Sequence, residues 1–521
     1  MEIRKSLVKP VHYINAIPSA GKSWNLKEKI NNSGIHNKTI ICLPTVKLMK
    51  EYEQDLIVSV HKILSDDSSF SVVHQLKAAL ASDFHIQVIL CTHDCLELYC
   101  QQAAFDVAMQ QALQEVSIFV DECPVGAFGA QVRVQYEAFA QDNFPFLACL
   151  EEREKGGLFL KEDCSEQMQR YYNENHAKSE DLKKIVWCLL HDNALLAEED
   201  ERGYWYTAEA ANPLILASQW AASFIIMAAG IDKSELLYRA EHHLGFPVIK
   251  APAGFQPDAS RAKFKRTNLI TISYIFNEPA SMNALAPVFP EVLMWIKRNF
   301  REGFLYATNN DKTLKGEQVD FTSLADQELK ATGERISMSA YGLNYYAGFN
   351  VCGKDEDFLR CLGVEHTAAA YEGYAQCAYL GIVNDEPFHL QRRRKYADCM
   401  GWDFDELSKR RHEQQNAERC LQVLARTIIR DHNNIKPVHF LVPDKQTADY
   451  LQANYFPRCE LNPLNFYRER KARDTTKGDT AKADVKSLLD KGLKQVQIAQ
   501  HTGLSKGRVS QLVKQIKAEA A

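Results

Sequence analysis

Ala16-Ile17-Pro18-Ser19-Ala20-Gly21-Lys22-Ser23 follows the apolar run Val11-His12-Tyr13-Ile14 and precedes a helix-like stretch. This is the strand, loop and helix context in which backbone N–H groups, at the positive end of a helix dipole, cradle a triphosphate. In that reading Ser19, Ala20, Gly21, Lys22 and Ser23 form the nucleotide cradle. Lys22 reaches the β- and γ-phosphates and Ser23 holds Mg²⁺. Ala16 stands where the usual pattern has its first glycine. So short a loop can arise by chance, and its weight comes from the segments downstream.

Val116-Ser117-Ile118-Phe119-Val120 is apolar and ends in Asp121-Glu122-Cys123-Pro124. A buried strand with two adjacent acids at its tip suits Asp121 to the Mg²⁺ shell and Glu122 to orienting and deprotonating a water. The bland alternative is a surface turn that happens to carry two acids. Thr39-Ile40-Ile41-Cys42-Leu43-Pro44-Thr45 and Val88-Ile89-Leu90-Cys91-Thr92-His93 repeat the form, each an apolar strand with a polar tip. Parallel strands of this kind, separated by helical stretches, describe an open α/β sheet whose site lies at the carboxyl edge.

In order and spacing these segments resemble the DEAD/DEAH-type superfamily 2 helicases, over roughly residues 14–451. The second half of the likeness is carried by Phe304-Leu305-Tyr306-Ala307-Thr308-Asn309, by Ile336-Ser337-Met338-Ser339-Ala340-Tyr341-Gly342-Leu343-Asn344, and by the segment from Gln422 to Asp431. The resemblance implies an α/β chain of two tandem RecA-like P-loop lobes with helical insertions. It implies a nucleic-acid-dependent ATP hydrolase that uses ATP and Mg²⁺, with Pro44, Thr45 and Thr92 near a nucleic-acid backbone. Gln422, Arg426 and Arg430 recur at i, i+4 and i+8, a spacing that would line one helix face. In the family that face supplies arginine fingers to the γ-phosphate from across the lobe cleft; a solvated basic stripe is the alternative.

Three departures qualify the likeness. Ala228-Ala229-Gly230 stands where the family carries Ser-Ala-Thr, so both hydroxyls are missing. No glutamine motif for reading adenine precedes the loop. Asn344 replaces a common Asp, and Gly342-Leu343-Asn344 resembles helicase-like proteins of phages and plasmids. That variant implies service in the replication of a mobile element, with replication proteins among the partners.

The 521 residues, 46% of them apolar, can fill several cores. The expected division is a first lobe over 1–250 with a helical, charge-rich insertion at about 136–208, and a second lobe over 251–460 with an insertion at about 353–416. A linker at 461–483 and a small all-α helix-turn-helix domain at 484–521 complete it. Within the second insertion Gln391-Arg392-Arg393-Arg394-Lys395 could grip a phosphate backbone, although such runs are more often solvated helix faces. The uncharged stretch from Pro213 to Ile231 is long enough to suggest a membrane span, but its polar residues and core-strand second half favour a buried helix–strand element. Fourteen cysteines without a secretion signal read as reduced thiols of a cytoplasmic protein. Cys42, Cys91, Cys95 and Cys100 read as core residues in preference to an iron–sulfur set.

From Leu461 onward thirteen Lys and Arg face six Asp and Glu, while the whole chain carries −5. A basic tail on an acidic body suits one end that meets nucleic acid. The stretch from Gln495 to Leu512 fits a helix-turn-helix, with Gly503 at the turn and Ile498, Leu504, Val509 and Leu512 inward. Lys506, Arg508, Ser510 and Gln511 are left to read a major groove of duplex DNA; a protein-docking module is the alternative. Together these features suggest an ATP-dependent DNA helicase or translocase that takes a single strand through its motor. The rival is a non-unwinding ATPase switch acting as a DNA-bound regulator or replication-initiation factor, which the altered Ala228-Ala229-Gly230 favours.

Overall fold

The computed structural model describes residues 8–18, 20–33, 38–65, 70–82, 87–134, 144–174, 179–200, 203–300, 303–309, 312–314, 317–335, 374–385, 387–466, 475–502, 509, 510, 512, 513 and 516. The segment Ile336 to Asn344, together with Ser19, Lys506, Arg508 and Gln511, lies outside them.

Two parallel sheets organise the chain. The first runs, edge to edge, through Val248–Lys250, Val11–Asn15, Ser223–Ala228, Ser117–Asp121, Thr39–Leu43, Val88–Thr92 and Val60–Lys62. The second runs through Gly333–Arg335, Phe304–Ala307, Gln376–Tyr379, Val438–Asp444, Ile270–Phe276 and Glu460–Pro463. The central strands read as near-continuous apolar runs because helices cover both faces of each sheet; Thr39–Leu43 is buried throughout. These are the two tandem α/β lobes expected from the RecA-like pattern. Buried apolar side chains of both lobes form one continuous cluster, with Ile14, Ala16, Ile17 and Ala229 of the first and Leu421, Leu424 and Ile428 of the second among its members.

Three boundaries differ from expectation. The first-lobe insertion is not only helical: Ala127–Val134, Gly203–Ala211 and Leu196–Asp200 form an antiparallel sheet, against which the helix Glu180–Leu190 packs. Leu196–Asp200 and Gly203–Ala211 form a local hairpin, but the pairing of Gly203–Ala211 with Ala127–Val134 joins residues far apart in sequence, which local periodicity does not reveal. The strand Gln376–Tyr379, inside the stretch assigned to the second insertion, is a central strand of the second sheet. The linker assigned to 461–483 begins within the edge strand Glu460–Pro463 and ends within the helix Thr475–Asp490. Parallel pairing with Ile270–Phe276 extends the sheet beyond the lobe's last helix. Pro213 to Ile231 folds as two short helical turns and the core strand Ser223–Ala228. No helix among the described residues is long and apolar enough to cross a membrane. Cys42 and Cys100 are buried, and burial pushes their thiols above the ordinary range.

The basic run at 391–395 is divided: Gln391, Arg394 and Lys395 are exposed, while Arg392 and Arg393 turn inward. It lies on the helix Pro387–Met400 and meets acids of the first-lobe insertion. Arg392 is buried with its guanidinium 3.9 Å over the Trp205 ring. Arg393 Nε bonds Glu209 Oε2 at 2.8 Å, and Lys395 pairs with Glu198. Arg394 pairs with Asp405 at 2.8 Å. Arg239, which is fully buried, pairs with Glu209 and, at 2.7 Å, with Glu235. Arg411 reaches Glu235 Oε2 at 2.9 Å. Burial alone would raise the Glu235 carboxyl, but Arg411, Arg239 and Arg393 overcome it and hold the group at about 2. Glu209 is likewise held well below the usual carboxylate range by Arg393, Arg239 and Arg411 against the effect of burial.

A buried ion cluster of this kind is costly to break by halves. Arg239→Ala should therefore destabilise the protein by about 3 kcal/mol, because it removes the one cation that pairs with both buried carboxylates and leaves Glu209 to Arg393 and Glu235 to Arg411. Glu235 is depressed in the folded state, so its contribution should be present above about pH 4.3, the ordinary Glu value, and be lost as pH falls toward about 2. Chemical unfolding of parent and variant at several pH values measures both effects; an Arg239→Ala protein as stable as the parent would refute the clamp.

Candidate active site

The loop after the strand Val11–Asn15 turns into the helix Lys22–Ser33 at its amino end. Gly21 takes φ +84°, a backbone conformation that glycine adopts without a Cβ penalty. Lys22 and Ser23 therefore sit in the first helical turn. Lys22 Nζ donates to the carbonyls of Ala16 at 2.7 Å and Ile17 at 3.1 Å. Burial lowers the Lys22 ammonium, while Asp121, Glu122 and Glu418 favour its charge and Arg430 opposes it.

The strand Ser117–Asp121 lies two places away, with Ser223–Ala228 between. Ser23 Oγ donates to Asp121 Oδ2 at 2.9 Å. A hydroxyl and a carboxylate side by side are the hard oxygen donors Mg²⁺ prefers, so the donor set fits the ion. Tyr52 on the helix Val46–Asp55 also donates to Asp121 Oδ2, at 2.7 Å, and His93 Nε2 lies 2.9 Å from the Asp121 carbonyl. That carbonyl can only accept, so Nε2 carries the proton, and burial holds His93 neutral at about 4. Glu122 adopts φ +66°, a strained conformation for a non-glycine residue of the kind that gathers at functional sites. Its N–H donates to Met227 at 3.0 Å. Burial and Asp121 raise its carboxyl to about 7, against the pull of Arg426 and Lys22.

The second lobe supplies the arginines, though not as one helical stripe. The helix Arg419–Leu424, which carries Gln422, stops at Leu424, and Arg430 lies on a separate short turn, Ile428–Arg430. The break has a local cause. Thr427 Oγ1 donates to the Leu424 carbonyl at 2.8 Å, and the Ile428 N–H is drawn to Tyr374 at 2.9 Å. β-Branched residues there favour the extended link over another turn. Arg426 favours the Glu122 charge and Arg430 opposes that of Lys22, while the Arg430 Nε itself donates to the Ala425 carbonyl. Gln414 adds a cross-lobe bond to Cys123 Sγ at 3.1 Å.

Pro44, Thr45 and Thr92 lie at the carboxyl ends of their strands. The Thr45 and Thr92 hydroxyls cap the helices that follow, accepting from Leu48 at 3.3 Å and Cys95 at 3.2 Å. Capping leaves each hydroxyl proton available to a phosphate oxygen. In the C-terminal segment the helices Thr475–Asp490 and Gln495–Thr502 share a small core with Val509 and Leu512, and Ser510 is half-buried in a helical stretch. Tyr52, His93 and Glu418 were not legible in advance. Tyr52 shares a helix face with Met49, and that spacing marks a core residue as readily as a ligand of Asp121. The tip Thr92-His93 offered a signal, since it repeats the strand-end pattern of Pro44-Thr45.

No family model and no curated protein matches the chain. Among solved structures it is similar to one described as XPD in the apo form, at 11% identity and a TM-score of 0.42, covering 88% of this chain and 97% of that one. A structure described as XPD helicase follows at 12% identity and 0.39, covering 88% and 96%. A DEAD box protein from the hyperthermophile Methanococcus jannaschii gives 11% identity and 0.28, covering 88% of each chain.

A base that must be unprotonated becomes competent as pH rises through its own value. The kcat/KM for nucleotide hydrolysis should therefore climb with pH through about 7, the Glu122 value. Glu122→Gln should retain nucleotide binding and abolish turnover. A pH–rate profile with an unchanged limb in Glu122→Gln, at parental rate, would remove Glu122 from that role.

Proposed function

We propose that the chain is a superfamily 2-type, ATP-dependent DNA helicase or translocase that hydrolyses ATP between its lobes and is targeted by a DNA-binding C-terminal segment. The observation that carries the reading is the gathering at one sheet edge of Lys22, of Ser23 bonded to Asp121 and of Glu122, with the second lobe's Gln414 bonded to Cys123 beside them. Lys22 would exchange the Ala16 and Ile17 carbonyls for the β- and γ-phosphates. Ser23 and Asp121 would hold Mg²⁺, which polarises the terminal phosphates. Glu122 would orient the attacking water and take its proton. Arg426 and Arg430 would neutralise charge that develops on the transferred phosphoryl, and the cradle would comprise Ser19, Ala20 and Gly21 with Lys22 and Ser23. Gln422, on the same segment, would contact the nucleotide as the lobes close.

Pro44, Thr45 and Thr92 would track a single strand, while Lys506, Arg508, Ser510 and Gln511 would read duplex DNA. The Gly342-Leu343-Asn344 variant supports a role in replication of a phage or plasmid, alongside replication proteins. The rival switch draws support from Ala228-Ala229-Gly230, which lacks hydroxyls to couple hydrolysis to strand movement. A strand-displacement assay separates the two: ATP-dependent release of a paired strand is expected, and ATP hydrolysis without release would favour the switch.

Lys22→Ala should abolish hydrolysis with the fold intact. Arg426→Ala and Arg430→Ala should each lower kcat by about a hundredfold or more, with nucleotide affinity little changed. Steady-state kinetics with and without single-stranded DNA measures this, and parental turnover in both arginine variants would overturn the cross-lobe reading.

Deleting 468–521 removes all thirteen basic residues of the tail and none of the ATPase residues. The truncated protein should keep strand-stimulated ATPase activity and lose a salt-sensitive affinity for duplex DNA. Arg508→Ala and Gln511→Ala should weaken preferred sites more than random DNA. Duplex titrations at two salt concentrations decide it, with equal affinities for the full-length and truncated proteins assigning the tail to protein docking.

A further inference from the structure

The loop that follows the strand Ser223–Ala228 carries no hydroxyl, yet the second lobe presses a carboxylate directly on it. Gly230 adopts φ +61° and its N–H donates to Asn15 Oδ1 at 3.0 Å, which fixes the loop against the end of the Val11–Asn15 strand. A Cβ at Gly230 would overlap the Glu418 carboxylate. Glu418 ends a π-helical turn, Glu413–Glu418, and is 9% exposed. Its Oε1 accepts from Tyr450 at 2.6 Å and from Tyr455 at 2.5 Å, so two hydroxyls of the second lobe aim the carboxylate at the first. Oε2 is buried with no hydrogen-bond partner among the described residues. A π-turn displaces one residue from the regular helical face, a device often found at functional positions. Two residues beyond Gly230, Asp232 accepts from Asn15 Nδ2 at 2.6 Å, and next to it Lys233 bonds Asn454 and lies 5.3 Å from the Tyr450 ring centre.

We propose that Glu418, aimed by Tyr450 and Tyr455 and seated against Gly230, is the positioning residue that registers the second lobe on the first so that Arg426 and Arg430 reach the phosphate loop. The inference rests on the reading of the cleft as an ATPase site. Several features join in it. Glu418 directly precedes the helix Arg419–Leu424, after which Arg426 and Arg430 follow, so its seat on Gly230 sets where the arginine-bearing stretch starts. Gly230 lies at the tip of the strand between the phosphate-loop strand and the Asp121 strand. The Glu122 N–H bonds that strand's Met227 carbonyl, and the Ala16 N–H bonds its Ala228 carbonyl at 3.3 Å. A carboxylate pressed on Gly230 is thus keyed to both halves of the first-lobe site at once. Its negative charge also favours the Lys22 ammonium across the cleft. Glycine serves here for lack of a side chain as well as for its left-handed backbone.

The test measures nucleic-acid-stimulated ATP hydrolysis by the full chain. Gly230→Ala should lower kcat at least tenfold while KM for ATP stays within threefold, because the alanine obstructs the Glu418 seat and leaves the phosphate loop in place. Glu418→Ala should lower kcat similarly. The double variant removes the obstruction together with its partner and should be no slower than Glu418→Ala alone. Losses that multiply, or a parental kcat in Gly230→Ala, would overturn the inference. Should Gly230→Ala fail to fold by thermal melting, Glu418→Asp draws the carboxylate back by one methylene without touching the loop. It should show the same fall in kcat at constant KM, and a parental kcat there would overturn the inference equally. A parent that hydrolyses no ATP would instead refute the reading of the cleft, whatever the variants do.

Discussion

The 2.9 Å hydrogen bond from Ser23 Oγ to Asp121 Oδ2 ties the loop after one strand to the tip of another across an intervening strand. That bond is possible only because every strand of the first sheet runs the same way, which brings all the polar tips to one edge. Tyr52 shares the Asp121 carboxylate and His93 supports its backbone, so the acid is held from three sides. Glu122, one residue further on, is released from the strand direction by its left-handed backbone and turned toward the cleft. A parallel sheet thus converts a short stretch of strand ends into a preorganised set of charges, at a site where water is scarce and electrostatic effects are large.

Half of the charge balance comes from elsewhere in the chain. The charge of Lys22 is favoured by Asp121 and Glu122 of its own lobe and by Glu418 of the other, while Arg430 opposes it. The carboxyl of Glu122 is pushed up by burial and Asp121, and Arg426 is the first of the groups that restrain it. Neither lobe alone presents this combination. An arrangement that depends on two bodies meeting is one that a ligand bound between them would alter, in proportion to its differential interaction with the two arrangements.

The insertion makes a second bond between the halves of the chain. Glu209 of the inserted sheet and Glu235 of the lobe body are surrounded by Arg239, Arg393 and Arg411, two of which come from helices beyond residue 386. Buried charges in this number are tolerated only when paired and hydrogen-bonded. Within the basic run at 391–395, Arg393 and Lys395 therefore serve tertiary structure, paired with acids nearly two hundred residues away in sequence.

Local sequence was sufficient for the elements whose cause is local. The loop at 16–23, the Asp121-Glu122 tip and the apolar strands follow from short runs in which β-branched residues, a glycine and adjacent acids act on their own neighbourhood. Two parallel lobes follow from the alternation of those runs with helical stretches. Tertiary structure decided whatever depended on distant partners. The inserted antiparallel sheet needed strand pairing across more than sixty residues, from Ala127 to Ala211. The arginine segment broke after Leu424 because Tyr374 captured the Ile428 N–H, a partner that no helical spacing could reveal. Tyr52 became a ligand of Asp121, and Glu418 met a glycine in the other lobe, for the same reason. Periodicity records which face of an element is apolar, whereas the identity of the group that meets a buried polar side chain is set only when separate elements close upon it.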